Sequence, residues 1–142
     1  MPLTNPRDTL TRALTEAVPY GLVSAYLFGS YAEARAHAES DIDVGVLLHR
    51  DLYPGPRERF AERVRLTAWL VGVLGINAVD VVILNDAPPE LGRRIVTKGQ
   101  RVYCADSQLD RAFVRDVQLR AADLAPFLRR TRRVTLQALE RP

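Results

Sequence analysis

Cysteine is almost missing from this chain: Cys104 is the single one among 142 residues. One thiol cannot form an internal disulfide, which fits a reducing compartment. Long apolar runs are missing too, and none approaches the ~18 residues that a membrane span requires. The first residues, MPLTNPRD, lack the apolar stretch of a signal peptide. The expected location is therefore the cytoplasm, with no membrane partner. Lysine is nearly absent, with Lys98 set against nineteen arginines, which reads as genomic base composition before any functional preference. Repeats and low-complexity segments are also lacking. His37 and His49 have no Cys or His at ligand spacing, which argues against a zinc site.

What is present is enough apolar material for a core. The chain is 47% hydrophobic, and its length suits one domain. No linker divides it, so the expected organisation is a single unit over 1–142, with a motif core at about 22–104 and a helical segment at about 107–140. The net charge of +3 is unevenly placed. Residues 111–142 hold eight Arg and three acids, whereas the rest holds twelve Lys or Arg and fourteen acids. The cluster Arg129, Arg130, Arg132 and Arg133 complements the end of a helix and reads first as a solvated face. Contact with an acidic partner or RNA is its functional reading. Few aromatics interleave with it, so a nucleic-acid platform is poorly supported.

Periodicity gives the elements. Leu10, Leu14 and Val18 mark a first helix over Thr9 to Val18, with Asp8 as a candidate cap. Leu22 to Phe28 reads as a buried strand ending at a glycine. Ala32 to Glu39 is alanine-rich and should form two helical turns. Asp41 to Leu48 reads as a strand with Ile42, Val44, Val46 and Leu48 on one face. Arg57 to Leu74 reads as a helix with Phe60, Val64, Ala68 and Val71 as its inner stripe and a buried far end near Trp69. Val79 to Leu84 is a third strand. Pro88 and Pro89 open a short helix that Gly99 closes. Arg101 to Cys104 is a last short strand. Leu109, Phe113, Val117, Ala121, Leu124 and Leu128 mark a final amphipathic helix that Pro126 interrupts or kinks. That stripe reads as core or subunit contact.

Three acids stand out against this background. Asp41 and Asp43 are two apart in a strand and project from one face. Asp80 lies in the apolar run Val79 to Leu84, with Val79, Val81 and Ile83 on the opposite face. If the third strand neighbours the second, the three carboxylates meet. Two carboxylates ~5 Å apart repel by roughly 3 kcal/mol at an effective dielectric near 20. A divalent cation removes that cost, and all-oxygen ligands suit Mg²⁺. Two such ions can hold the attacking and leaving oxygens of a displacement in line. A lone D-x-D is ordinarily a solvated turn, and a lone Asp near a strand start is ordinarily a surface residue. The stretch Gly29-Ser30, ten residues, then Asp41-Ile42-Asp43 reverses that reading.

Gly29 lets the backbone turn tightly beside a ligand. A helix starting just after it would aim free N–H groups at a phosphate, with the Ser30 hydroxyl as a further donor. Ser30-Tyr31-Ala32-Glu33 also fits a capping box. A capped helix start remains an anion site, so the two roles are compatible.

The pattern LFGS-x10-SDIDVGVLL followed by VDVVILN resembles the nucleotidyltransferase superfamily related to DNA polymerase beta. More closely it resembles the minimal nucleotidyltransferases, over about Leu22 to Tyr103. The resemblance implies an α+β fold: a small mixed sheet flanked by helices, with a C-terminal amphipathic helix. It implies that Gly29 and Ser30 bind the triphosphate of ATP and that Asp41 and Asp43 bind two Mg²⁺ ions. Asp80 would bind the catalytic ion and help activate an acceptor hydroxyl. Many relatives resemble antitoxins paired with HEPN toxins, which implies AMP transfer to a tyrosine of such a toxin, with release of pyrophosphate. One departure is local: where the family often reads Gly-Ser-x-Ala-Arg-Gly, this chain has Glu33 and Ala34, with Arg35 one place later. A catalytically weak antitoxin that acts by binding stays open on that ground. So does a small-molecule acceptor of aminoglycoside type, and so does a homo-oligomer.

Overall fold

The computed structural model describes residues 5–29 and 41–140, with side chains through Arg133. The helix expected over Ala32 to Glu39, Ser30, the Glu33–Ala34 departure, Arg35 and His37 lie outside the described residues.

Helix α1 (Pro6–Ala17) starts earlier than its periodicity suggests, because Asn5 and not Asp8 is the cap. The Asn5 side chain accepts from the Arg7 N–H, Pro6 fills the first turn, and Asp8 lies within that turn. Leu10 and Leu14 are its buried residues. Strands β1 (Leu22–Phe28) and β2 (Ile42–Leu48) pair antiparallel. Helix α2 (Pro56–Leu74) then crosses over to β3 (Val79–Ile83), which pairs parallel with β2. A 3-10 turn (Leu84–Asp86), helix α3 (Pro89–Lys98) and strand β4 (Gln100–Cys104) follow. Helix α4 (Ser107–Glu140) closes the order and runs on through Pro126. The sheet order is β3-β2-β1-β4, so the sheet is mixed, as the resemblance implies.

The strands sort their side chains between two cores. Ile42, Val44, Val46 and Leu48 of β2 face α1 and α2, together with Val81 and Ile83 of β3. Val23, Tyr26 and Leu47 face the other way, onto Ile95 of α3 and Phe113 of α4. In β1 the register shifts between Leu22 and Ser24, and Leu22 and Ala25 both face the first core. A bulge of this kind resets which residues point inward. Gly45 and Gly92 allow close approach: a Cβ at Gly45 would press on Ile95, and one at Gly92 on Val117.

Helix α2 differs from its periodic reading. Glu62, Leu66 and Leu70 are the buried stripe, whereas Phe60 is 60% and Val64 55% exposed. Ala68 is exposed as well, and Val71 and Trp69 are half-buried. Two apolar stripes compete on this helix, and the inner one contains Glu62, whose carboxylate pairs with Arg65. The paired carboxylate lets the Glu62 stem lie against the core without an unpaired charge. The C-terminal stripe is likewise only partly inner: Val117 and Ala121 are buried, but Leu109, Leu124 and Leu128 are exposed. Among the described residues, no helix is long and apolar enough to cross a membrane.

Candidate active site

The first acids are placed by strand pairing. In the parallel β2–β3 ladder, Asp43 stands opposite Asp80, while Phe28 of β1 stands opposite Asp43 on its other side. Asp80 alternates with Val79, Val81 and Ile83, which face the first core. It therefore shares its face with Val82 and with Asp43. Asp41 lies one residue before β2 and is exposed. The expected convergence rests on this register, since a slip of one residue would turn either acid to the opposite face.

Far from the acids, Asn85 pins that register. Its side-chain oxygen accepts from the Leu48 N–H at 2.9 Å, and its amide donates to the Leu48 carbonyl at 2.9 Å. The side chain thus adds one more rung after β3 has ended.

Gly29 ends β1 against the Asp43 carboxylate. Its φ is +75°, a left-handed conformation, and a Cβ there would overlap an Asp43 oxygen. Two separate reasons thus require glycine. The backbone turns sharply, and it does so in contact with the acid.

The electrostatics of Asp43 are those of a crowded anion. Partial burial pushes its carboxyl above the ordinary range, and the charges of Asp80 and then Asp41 push it further the same way. Among the described residues no hydrogen bond or ion pair offsets this. Among the described residues, Asp80 has one cation nearby. Arg63 of α2 brings a terminal nitrogen to 3.6 Å from its Oδ1, and the Arg63 Nε donates to the Val81 carbonyl at 2.7 Å. Among the described residues, no three His, Cys, Asp or Glu side chains form a closed metal-ligand set. The donor chemistry nevertheless fits a hard divalent cation: three carboxylates whose repulsion raises the central one, on a face that solvent reaches.

Sequence reasoning missed a second polar centre. Asp110 at the start of α4 is only 2% exposed. It accepts from the Tyr26 hydroxyl at 2.8 Å and from Arg101 at 3.0 Å. Burial first, and then the Asp110 carboxylate, hold the Tyr26 phenol far above its usual range. These residues tie α4 to the sheet. The available signal was faint: one acid within an otherwise amphipathic helix start.

The mixed sheet thus brings two acids into register beside a left-handed glycine. The chain belongs to the Polymerase beta, Nucleotidyltransferase family, which matches residues 18–108. It is 31% identical over 96 residues to the protein adenylyltransferase MntA of Shewanella oneidensis. That similarity covers 68% of this chain and 63% of the relative's length, so it spans less than two thirds of that protein. The chain also resembles, at 25% identity and a TM-score of 0.66, a chain in the crystal structure of a toxin–antitoxin with AMP-PNP, covering 95% of this chain and 98% of that one. A second structure, of a tri-AMPylated Shewanella oneidensis HEPN toxin in complex with an MNT antitoxin, shares the fold at 24% identity and a TM-score of 0.60, over 96% of this chain and 97% of that one.

Proposed function

We propose that this chain is a Mg²⁺-dependent nucleotidyltransferase that moves AMP from ATP to a tyrosine of a HEPN-type toxin, acting as its antitoxin in the cytoplasm. The observation that carries the chemistry is the in-register pair Asp43 and Asp80, with Gly29 against Asp43. Family membership and the likeness to a protein adenylyltransferase support the reaction class. The likeness to a toxin–antitoxin structure with AMP-PNP supports the partner and the nucleotide. On this reading, residues 1–142 act as one nucleotidyltransferase unit.

Asp41, Asp43 and Asp80 would hold the metal, two ions in the full complex. When bound, the metal supplies positive charge that offsets the charge developing at the α-phosphate and on the leaving pyrophosphate. Gly29 opens its backbone to the triphosphate, and Ser30, outside the described residues, adds a hydroxyl donor. Asp80 takes the proton from the tyrosine Oη. The new bond is Oη–Pα, the bond to the bridging oxygen breaks, and pyrophosphate leaves with its electron pair. Positioning and charge complementarity carry most of such a transfer.

The test is a pull-down. The tagged protein is incubated with Mg²⁺ and ATP in its host's lysate, and intact masses of the co-eluting polypeptides are measured. A partner carrying an added AMP, lost with Asp41→Asn, is the expected result. An unmodified partner that still co-elutes would replace transfer by neutralisation through binding.

A further inference from the structure

We infer that the groove along the free edge of β3 is the subsite for the acceptor polypeptide, and that it takes a tyrosine-bearing segment with apolar neighbours. This rests on the AMP-transfer reading and adds where the acceptor lies and what surrounds its tyrosine. β3 ends the sheet order, and among the described residues its outer edge is bordered by α2 and the segment leading into α3. There a groove of about 500 Å³ opens, walled by Pro56, Phe60 and Arg63 on one side and Pro88 and Leu91 on the other, with Val82 on its floor.

Three observations point to an acceptor. The groove is continuous with the acids: Val82 lies two residues beyond Asp80 on the same face, and Arg63 at one end touches Asp80. Its side of the site is also the right one. Gly29 flanks Asp43 from β1, whereas Asp80 flanks it from β3. An in-line displacement puts nucleophile and leaving group on opposite sides of the phosphorus. With the leaving phosphates at Gly29, the acceptor hydroxyl arrives from the β3 side. The lining then decides the class. Phe60 presents an exposed phenyl ring, and the walls are prolines and a leucine. Among the described lining residues the one acid, Asp86, is held by Arg59 through two bonds of 2.9 and 2.8 Å. Away from the catalytic acids, a polycationic sugar would find no unpaired carboxylate among the described lining residues, and a nucleic acid would find one arginine. An apolar polypeptide segment fits, with its tyrosine at the Arg63 end.

The test uses the whole chain with Mg²⁺ and ATP labelled at the α-phosphate, added to host lysate, with AMP-tyrosine read by mass spectrometry. Phe60→Glu and Pro88→Glu, one from each wall, are compared with Val64→Glu, an exposed apolar position on α2 outside the groove. Binding of Mg²⁺ and AMP-PNP is titrated calorimetrically for each variant. We expect both groove variants to lose at least about tenfold in AMP-tyrosine while binding AMP-PNP within about twofold of wild type. Val64→Glu should match wild type. Wild-type labelling by both groove variants, loss of AMP-PNP binding by them, or equal damage from Val64→Glu would overturn the assignment. Wild-type protein that labels no tyrosine at all would remove the transfer reading itself, and the groove's role with it.

Discussion

Asp43 and Asp110 lie on the same side of one sheet and meet opposite fates. Asp110 is buried, and both a phenol and a guanidinium point at it. Asp43 is only partly covered, and its charged neighbours are two more acids. A carboxylate that holds a fold together is supplied with donors. Asp43, the proposed cation ligand, is kept short of them, and the fold bears the repulsion. The difference lies in what the fold places around each acid.

The comparison breaks most sharply at Asp43 itself. Asp43→Asn should lower AMP transfer by roughly 10³-fold, the size expected when a group stabilising developing charge is lost. The variant should keep its circular dichroism spectrum, and full activity in a folded variant would remove the metal assignment. At the other acid the effect should be on stability. Asp110→Ala leaves Arg101 without its ion pair and Tyr26 with a buried, unsatisfied hydroxyl. That should cost about 3 kcal/mol, read as a lower midpoint in urea unfolding. Activity per folded molecule should stay near wild type at low temperature.

Gly29→Ala tests the contact between the turn and the acid. The left-handed φ alone costs about 1–2 kcal/mol for a residue with a Cβ, and the methyl would also displace the Asp43 carboxylate. Transfer should fall more than stability does, which paired kinetics and thermal melts would reveal. The smallest effect concerns Asp43 without metal. Its folded pKa is raised, so the folded state holds the proton more tightly than the unfolded chain. Stability from this group is therefore present at acid pH and lost as pH rises from the unfolded pKa through the folded one. Above that window, metal-free Asp43→Asn should melt higher than wild type. Added Mg²⁺ should raise the wild-type melting temperature and leave the variant's almost unmoved. A wild-type melting curve indifferent to Mg²⁺ would count against the cation site.

Much of this was legible in sequence because it is local. The period-two run from Ile42 to Leu48 placed β2 and set its inner face. The ten residues between Ser30 and Asp41 pointed to the proposed site before any strand order was known. The pairing of Asp43 with Asp80 was a conditional expectation, and the parallel β2–β3 ladder met the condition. What failed was non-local. Helix α2 offers two apolar stripes, and the choice between them depends on what lies across from each. Glu62 made the buried stripe look like the outer one, and the exposed stripe then supplied Phe60 to the groove. Tyr26 and Asp110 are 84 positions apart, and no spacing rule links them.

The clamp of Asn85 on Leu48 has a consequence for how the site comes into being. Those two residues are 37 positions apart, and the intervening chain includes all of α2. Parallel pairing of this kind cannot form as a tight local turn; the crossover must be in place first. A nascent chain that has emerged only as far as β2 therefore holds one half of the acid pair and no means of gathering the other. Catalytic competence should switch on in a single late step, when β3 docks and the last rung closes.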